Sequence, residues 1–353
     1  CLLSRGLGDV YKRQEKDHRC KQCYLKEKSG LKSLRQKSNT LYEEKINCTK
    51  LEIKAKEPPV YFDIRFSNAC NLKCRICGPW ASSQWLKDAI ALGLRKPNEK
   101  ALNITIKNED SFFEEIKPFF KTAREFYFAG GEPFMMEQHY RVLDELIAAK
   151  NTNCKLNYNS NFSQLSFKDY QIIDYWKKFN CVKVSASLDA EEQRGEYLRK
   201  NIKWKDVLEN RKLILKELPN LEFELNPTVC VFNVELIPEF HQNWVESGLI
   251  SVEDFVPNIL FNPKEYQLNV LSLKKQLYLK AKYLEHIQWI KKCEAKNELK
   301  KQQILIQFES IVDILGKDVN PMYKEVFLTK TKKLDNLRNE NTFSLFPELK
   351  SEL

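Results

Sequence analysis

The sequence has 353 residues, of which 42% are hydrophobic, 12% aromatic and 30% charged, with only 10 Gly and 13 Pro. This composition excludes a disordered, collagen-like or low-complexity chain, and the length suits one large or two ordinary domains. No apolar run reaches the ~18 residues that a membrane span requires. The net charge of +10 allows an acidic partner such as a nucleic acid, although such a surplus is also ordinary for a chain of this length.

The N-terminal end divides into two parts. Residues 1–14 lack an initial Met and resemble translated adaptor read-through, so we expect the natural start to be missing and base no fold prediction on them. Residues 15–59 are polar, rich in Lys and Glu, and end in Pro58-Pro59, which is a rigid, non-helical spacer. The sequence therefore predicts a separate N-terminal segment over residues 15–59, which contains the pair Cys20 and Cys23.

Residues 60–262 alternate between short apolar runs, typical of buried strands, and helical patterns. Apolar strands that are each followed by a helix require a parallel sheet covered by helices. About six such units favour an α/β fold of the partial (β/α)6 type, similar to a TIM barrel. The predicted strands are Val60–Phe66, Glu125–Ala129, Lys155–Asn159, Val182–Ser187, Leu221–Asn226 and Asp254–Leu260. The predicted helices are Phe134–Lys150, Phe167–Lys178, Trp204–Leu218 and Ile237–Ser247.

Residues 263–353 are predicted to form a helical C-terminal region that shapes the substrate side of the barrel. Lys264–Gln307 reads as one long helix. Its apolar residues at helical spacing are Leu277, Leu284, Ile287 and Ile290. Its many Lys residues fit a solvated helix face better than a phosphate-binding stripe.

The clustered cysteines, among eleven in the chain, indicate a metal site in a reducing compartment. Cys70, Cys74 and Cys77 form a CxxxCxxC pattern directly after the first predicted strand, and ligands of parallel α/β folds bind at the carboxyl ends of strands. An iron–sulfur cubane that only carries electrons takes four thiolates, so three leave one iron open to a small molecule. The alternative is structural zinc, closed by a fourth ligand such as Cys154 or Cys230.

This cysteine pattern after a first strand resembles the signature of radical SAM enzymes. The resemblance implies that Cys70, Cys74 and Cys77 hold a [4Fe–4S] cluster whose fourth iron binds the amine and carboxylate of S-adenosylmethionine. It also implies a reductant such as flavodoxin or ferredoxin, and cleavage to methionine and a 5′-deoxyadenosyl radical that abstracts hydrogen from a substrate. Ile76 stands where the family usually has an aromatic residue, so its contact with adenine would be apolar packing.

The second predicted strand ends in Gly130-Gly131-Glu132-Pro133, which resembles the GGEP motif of the same family. The two glycines allow a close backbone approach to a ligand, Pro133 fixes the turn, and Glu132 offers a carboxylate to an ammonium group. The resemblance implies that Glu132 and the local carbonyls hold the methionyl amine. In the alternative, this is a helix-entry turn in which Glu132 only favours the helix dipole.

Weaker matches follow at the next strand ends. Ser160 and Asn161 occupy part of the family's Thr-Asn-Gly pattern, with Phe162 in place of Gly. The resemblance further implies that Ser187 and Asp189 lie toward the ribose of S-adenosylmethionine, and that Arg199 lies toward its carboxylate as a charge-assisted partner. Helix caps or surface ion pairs are the alternative for each residue.

Both ends of the chain resemble twitch-domain radical SAM proteins. The N-terminal match comprises His18, Arg19, Cys20, Cys23, Tyr24, Glu27, Gly30, Ser33, Arg35 and Asn39, and the C-terminal match comprises Asp335, Arg338, Phe346, Pro347, Glu348 and Leu349. This resemblance implies an auxiliary iron–sulfur cluster that Cys20 and Cys23 would partly ligate. Reduced thiols, half of a zinc site or a disulfide are the alternatives for this pair.

The sequence therefore predicts a cytoplasmic radical SAM enzyme, with no catalytic residue identified beyond the cofactor site. A peptide or protein is the first expectation for the substrate. A nucleotide, RNA or small anionic metabolite is the rival, favoured by the net charge, and a non-catalytic binding protein stabilised by zinc or an iron–sulfur cluster is the remaining alternative. No membrane partner is expected.

Overall fold

The computed structural model describes residues 20–28, 33–43 and 58–350. The chain divides into two units, Cys1–Pro59 and Val60–Leu353. The predicted read-through segment, residues 1–14, lies outside the described residues. The domain boundaries predicted from the sequence stay predictions.

The first unit contains two short helices, α1 (Lys21–Lys28) and α2 (Leu34–Leu41). Ser33 begins α2 with a capping box, which satisfies N–H groups of the first turn. Glu27, near the end of α1, accepts a hydrogen bond from Ser33 Oγ at 2.5 Å and pairs with Arg35 at 2.6 Å. Glu27 therefore contacts two other residues that carry the N-terminal resemblance.

The second unit is an α/β domain. Its strands are β1 (Tyr61–Ile64), β2 (Glu125–Phe128), β3 (Lys155–Ser160), β4 (Ser166–Phe167), β5 (Tyr170–Gln171), β6 (Val182–Ala186), β7 (Glu222–Leu225), β8 (Thr228–Val229) and β9 (Asn258–Ile259). Its helices are α3 (Leu86–Ala91), α4 (Glu109–Ile116), α5 (Glu137–Ala148), α6 (Ile172–Trp176), α7 (Glu192–Leu198), α8 (Trp204–Glu217), α9 (Ile237–Glu246), α10 (Leu273–Lys292), α11 (Glu298–Ile314), α12 (Pro321–Arg338), α13 (Thr342–Leu345) and α14 (Pro347–Lys350).

The main sheet has five parallel strands in the order β1-β2-β3-β6-β7. β8 and β9 form a separate parallel pair, and β4 and β5 form a small antiparallel pair. Because all five strands of the main sheet run parallel, their carboxyl ends all meet at one edge. The prediction of an α/β fold built as a partial barrel is confirmed, with a helical C-terminal region.

The two faces of the main sheet differ in chemistry, because residues alternate between faces along each strand. On the buried face, Phe126 stacks on Phe62 with ring centroids 4.7 Å apart and on Phe128 at 5.9 Å. The opposite face is polar and partly exposed, and it includes Tyr127 and Lys183. The apolar face attaches the sheet to its helices, which leaves the polar face available to a ligand.

The sixth predicted strand is wrong as a member of the main sheet. Within Asp254–Leu260, Phe255 makes a single bridge to Leu225 of β7, and only Asn258–Ile259 forms a strand, paired with β8. Backbone hydrogen bonds nevertheless continue along the segment, at 2.7–3.0 Å, from the N–H groups of Val256, Asn258 and Leu260 to the carbonyls of Leu225, Pro227 and Val229. Because alternate residues donate to one neighbour, the missing N–H of Pro257 does not interrupt this series. The segment therefore follows β7 and then β8 without adding a sixth strand to the main sheet.

Two predicted helices are also wrong in extent. The first half of Phe167–Lys178 is the β4–β5 hairpin, in which Lys168 has a φ of 52°, and α6 begins only at Ile172. The long helix predicted over Lys264–Gln307 is two helices, α10 and α11. A cap begins each of them: the side chain of Ser272 accepts from the N–H of Lys275 and that of Asn297 accepts from the N–H of Lys300.

Of the four apolar residues predicted to form the buried side of the long helix, two are buried and two are exposed. Ile287 and Ile290 are buried in α10, whereas Leu277 and Leu284 are 52% and 47% exposed. No helix among residues 20–28, 33–43 and 58–350 is long and apolar enough to cross a membrane.

Three histidines in the described chain are fully or nearly buried, and two of them form a pair. His241 Nδ1 lies 3.0 Å from His286 Nε2, and His241 Nε2 lies 2.9 Å from the carbonyl oxygen of Val252. Because a carbonyl can only accept, His241 carries its proton on Nε2 and accepts from His286 Nε2–H through Nδ1. Burial lowers the pKa of His241 well below its ordinary value, and burial lowers the pKa of His286 and His139 to about 3.

We expect the buried histidines to lower stability in mild acid, because their imidazoles are neutral in the folded chain. Below the ordinary histidine pKa of about 6.5, the unfolded chain binds more protons than the folded chain, so each such histidine costs up to about 1.4 kcal/mol per pH unit. Glu132 and Asp254 act in the opposite direction, because burial raises the pKa of their carboxyl groups to about 7 and about 6. The histidine contribution is therefore measured as a difference between two proteins, by urea unfolding from pH 7.5 to 5. His286→Gln keeps a donor to His241 and removes one titrating ring, so the slope of its stability against pH should be smaller than that of the wild-type chain. Equal slopes for both proteins would contradict the assignment.

Candidate functional site

The three cysteines of the CxxxCxxC pattern lie in one loop that follows the carboxyl end of β1. Cys70 and Cys74 are buried and Cys77 is partly buried. The loop turns tightly, since the N–H of Leu72 lies 3.4 Å from Cys70 Sγ and the N–H of Cys77 donates to the carbonyl of Cys74 at 3.1 Å. The loop therefore holds three sulfur atoms beside the edge of the sheet where the parallel strands end.

The protein environment differs among the three thiols. Burial raises the pKa of the Cys70 thiol to about 12. A hydrogen bond between Cys74 and Cys77 raises the pKa of Cys74 and lowers the pKa of Cys77. Arg199 NH1 lies 3.9 Å from Cys74 Sγ, so a guanidinium stands beside the sulfur atoms when they are deprotonated. Soft anionic donors beside a buried cation suit an iron–sulfur cluster.

The Gly130-Gly131-Glu132-Pro133 loop packs directly against the cysteine loop. Gly131 has a φ of +58°, and a Cβ atom at this position would lie 2.1 Å from the carbonyl oxygen of Ala69, the residue before Cys70. The N–H of Glu132 donates to the same carbonyl at 2.7 Å. Only glycine fits at Gly131, and this fit brings the ends of β1 and β2 into contact.

The Glu132 carboxylate is fully buried and connects the ends of β2 and β3. Its Oε1 accepts from Ser160 Oγ at 2.8 Å and from the N–H of Phe134 at 3.3 Å, and its Oε2 accepts from the N–H of Asn161 at 2.7 Å. Burial raises the pKa of Glu132 to about 7, although these hydrogen bonds oppose the shift. Oε2 has one lone pair left for a cationic ligand.

Asn161 extends the same network to the cysteine loop. Its Nδ2 donates to Asn71 Oδ1 at 2.8 Å and lies 3.7 Å from Cys70 Sγ. Its Oδ1 accepts from Ser163 Oγ at 2.6 Å. The next residue, Phe162, has a φ of 58°, which is the conformation that a glycine adopts without strain. The backbone at Phe162 is therefore compatible with the Gly that the resemblance places at this position.

Asp189, which follows β6, and Arg199, which follows α7, form a buried ion pair. Arg199 Nε lies 2.9 Å from Asp189 Oδ2, and Asp189 Oδ1 accepts from the N–H of Thr228 at 2.8 Å. The pair therefore links the cysteine loop to the start of β8. The backbone N–H of Ser187 donates to the carbonyl of Ser160 at 2.8 Å, which places Ser187 next to the Glu132 network.

The remaining cysteines bear on the zinc alternative. Cys154 precedes β3 and so lies at the amino end of a sheet whose carboxyl end carries the triad, about 20 Å away for a six-residue strand. Cys154 is therefore too distant to be the fourth ligand. Cys230 follows β8 and is buried close enough to Asp189 and Arg199 for their charges to affect its pKa.

The donor set fits a [4Fe–4S] cluster, in which each thiolate bonds a different iron. Within the described part of the chain, no three His, Cys, Asp or Glu side chains are arranged to hold a single metal ion. Cys20 and Cys23 are partly exposed free thiols in the first unit, with Cys23 on α1.

Residues 64–242 match the family described as "Radical SAM superfamily". No curated protein matches this chain.

Solved structures give weaker likenesses. "Native anSMEcpe with bound AdoMet" has 16% identity and a TM-score of 0.46 over 64% of this chain and 60% of that chain. The Streptococcus suis SuiB structure bound to S-adenosylmethionine has 14% identity and a TM-score of 0.43 over 71% of this chain and 58% of that chain. This chain therefore spans about three fifths of each of these proteins.

The sequence interpretation assigned no role to several residues that support the site. Asn71 and Ser163 belong to the Asn161 network, and Arg75, between Cys74 and Cys77, contacts the C-terminal end of the chain. Their adjacency to motif residues is the only signal that the sequence offers for them.

The Gly131 contact gives a steric prediction. Gly131→Ala should be destabilised more than Gly93→Ala, because both positions have a positive φ but an added Cβ at Gly93 meets no atom within 4 Å. The Gly93 variant should lose about 1–2 kcal/mol from the left-handed conformation alone. Thermal unfolding and iron uptake of both variants would test this. Equal destabilisation, with normal iron uptake by Gly131→Ala, would mean that the close approach to Ala69 is not required.

Proposed function

The chain belongs to the radical SAM superfamily, and on that premise we propose that it modifies a peptide or protein by S-adenosylmethionine-dependent radical chemistry. The observation that carries the proposal is the meeting of three thiols, the Gly130-Gly131 turn and Glu132 at one edge of a parallel sheet. The chain is an enzyme of this family, and its particular reaction is our proposal.

In this proposal, Cys70, Cys74 and Cys77 hold the [4Fe–4S] cluster and the adjacent loops hold S-adenosylmethionine. The bound pair supplies the electron and the 5′-deoxyadenosyl radical that removes hydrogen from a substrate. Glu132 binds the methionyl ammonium through the free lone pair of Oε2, with Gly130, Gly131 and Pro133 shaping the turn. The protein groups supply position and charge, and the cofactors supply the radical chemistry.

The other strand ends contribute in supporting roles. Ser160 and Asn161 orient the Glu132 carboxylate by the hydrogen bonds they donate to it. Asp189 holds Arg199 at 2.9 Å, which fixes the guanidinium beside Cys74 and available to a carboxylate of the ligand. Ser187 lies at the same strand edge, where it would approach the ribose.

The polar face of the main sheet supports a peptide substrate. Its charged residues are Asp63, Glu125, Lys155, Lys183, Glu222 and Glu224, and Arg65 follows directly after β1 beside Asp63. The cations are already paired: Arg65 with Asp63 at 3.1 Å, Lys155 with Glu222 at 3.9 Å and Lys183 with Glu224 at 2.7 Å. A phosphate-rich ligand needs cations that it can neutralise, whereas a peptide backbone needs donors and acceptors of both kinds. The net charge of +10 remains the one observation that favours RNA or another anionic substrate.

The proposal also covers Cys20 and Cys23 and the resemblance to twitch-domain radical SAM proteins. Cys20 and Cys23 would partly ligate an auxiliary iron–sulfur cluster, and the contact of Glu27 with Ser33 and Arg35 would order the segment that carries them. All described cysteines are free thiols, which suits a reducing, cytoplasmic location with a flavodoxin or ferredoxin as electron donor.

The cysteine triad gives the decisive test. After anaerobic reconstitution, the wild-type chain should contain roughly four iron and four sulfide from the triad site and should cleave S-adenosylmethionine to 5′-deoxyadenosine when reduced. Cys74→Ala should lose this iron, and Cys154→Ala, which removes a buried cysteine from the opposite end of the sheet, should retain it. One zinc per chain without iron, lost in both Cys74→Ala and Cys230→Ala, would establish the zinc alternative instead.

Glu132 gives a second test, now of ligand binding. Glu132→Gln should keep its iron but bind S-adenosylmethionine about 1.5–3 kcal/mol more weakly, the usual value of a hydrogen bond to a charged group. Calorimetric titration of the iron-loaded protein measures this difference. Glu137→Gln at the start of α5 is the control, because it removes an exposed carboxylate close by in the chain. Unchanged affinity in Glu132→Gln would reduce Glu132 to a helix-entry residue.

A further inference from the structure

Arg75 lies inside the cysteine motif, and its side chain is fully buried. Its guanidinium pairs with Asp335 in α12, and with Glu340 just beyond that helix at 2.7 Å. It also lies 3.9 Å above the ring of Tyr197, whose hydroxyl donates to Asp335 at 3.1 Å. The only charged residue between the second and third cysteines is therefore neutralised by carboxylates from the opposite end of the chain.

Glu340 joins this loop to a second segment of the site. It accepts from Lys200 at 2.7 Å as well as from Arg75. Backbone hydrogen bonds connect the same two segments, from the N–H of Lys73 to the carbonyl of Lys200 and from the N–H of Arg75 to the carbonyl of Leu198. The intervening residue, Arg199, is the one whose guanidinium approaches Cys74.

Arg338 makes a third connection on the other side of the loop. It is buried, donates to Asp88 at 2.8 Å, and lies over the ring of Trp85 at 4.7 Å. The indole N–H of Trp85 donates to the carbonyl of Cys74 at 3.0 Å. Lys73 also pairs with Asp88, at 3.0 Å. Asp335, Arg338 and Glu340 thus reach the backbone or side chains on both sides of Cys74.

We propose that Asp335, Arg338 and Glu340 are positioning residues for the CxxxCxxC loop, and that the charge balance between Arg75 and its two carboxylates tunes the reduction potential of the cluster that the loop holds. None of these residues needs to touch a reacting atom. The inference rests on the proposed function, because it requires the triad to hold an iron–sulfur cluster.

The electrostatic part has a definite sign. Reduction by one electron from the donor adds one negative charge to the cluster, so a nearby positive charge favours the reduced state and a nearby negative charge opposes it. Removing a carboxylate beside Arg75 should raise the potential, and removing the Arg75 charge should lower it. The low dielectric constant of a buried site strengthens both effects.

The experiment measures the midpoint potential of the reconstituted cluster by redox titration with EPR detection, together with iron content and thermal unfolding. Asp335→Asn and Glu340→Gln should each raise the potential, and Arg75→Gln should lower it. Glu235→Gln is the matched control, because Glu235 forms an equally close ion pair with Lys275, at 2.6 Å and with similar burial, outside the cysteine loop. It should leave the potential unchanged.

Opposite shifts cannot come from a general loosening of the fold, which would move all variants in one direction. If Arg75→Gln does not fold, Arg75→Lys is the second variant, because it keeps the positive charge but loses the planar guanidinium that binds two carboxylates at once. It should lower iron uptake while keeping the wild-type potential. Iron-loaded Asp335→Asn and Glu340→Gln with the wild-type potential would overturn this inference alone. A wild-type chain that takes up no iron would overturn the proposed function as well.

Discussion

The whole site depends on one close backbone contact, between Gly131 at the end of β2 and Ala69 in the loop after β1. An added Cβ atom would lie 2.1 Å from the Ala69 carbonyl oxygen, so the two loops can meet only because Gly131 has no side chain. The same carbonyl accepts from the N–H of Glu132. This contact sets the position of Cys70 relative to the Glu132 carboxylate, and the parallel sheet then brings β3 and β6 to the same edge.

Buried charge is the main energetic cost of this arrangement. Glu132, Asp189, Arg199 and Arg75 are all removed from water, and a buried ion without a partner is strongly destabilising. Each has partners from another segment of the chain, such as Thr228 and Arg199 for Asp189, or Asp335 and Glu340 for Arg75. The groups that would bind the cofactors are therefore held in place before any ligand arrives, which reduces the reorganisation that binding requires.

The sequence predicted those features that depend on local patterns. Apolar residues located all five strands of the main sheet, because one face of the sheet packs against helices, and the two motifs stood out because they follow strands. The caps at Ser272 and Asn297 were visible in the sequence, but whether they would divide the long helix depended on tertiary context. The partner of Arg75 could not be predicted, since 260 residues separate it from Asp335.

That separation also has a consequence for how the cysteine loop becomes ordered. If α12 is not in place, Arg75 loses both carboxylates, and breaking one side of a buried ion pair typically costs about 3–5 kcal/mol. The loop that carries the cysteines is among the first segments of this unit to be synthesised, yet its stable conformation depends on residues near the end of the chain. The C-terminal helices, expected from the sequence to shape the substrate side, therefore contribute directly to the side that holds the cysteines.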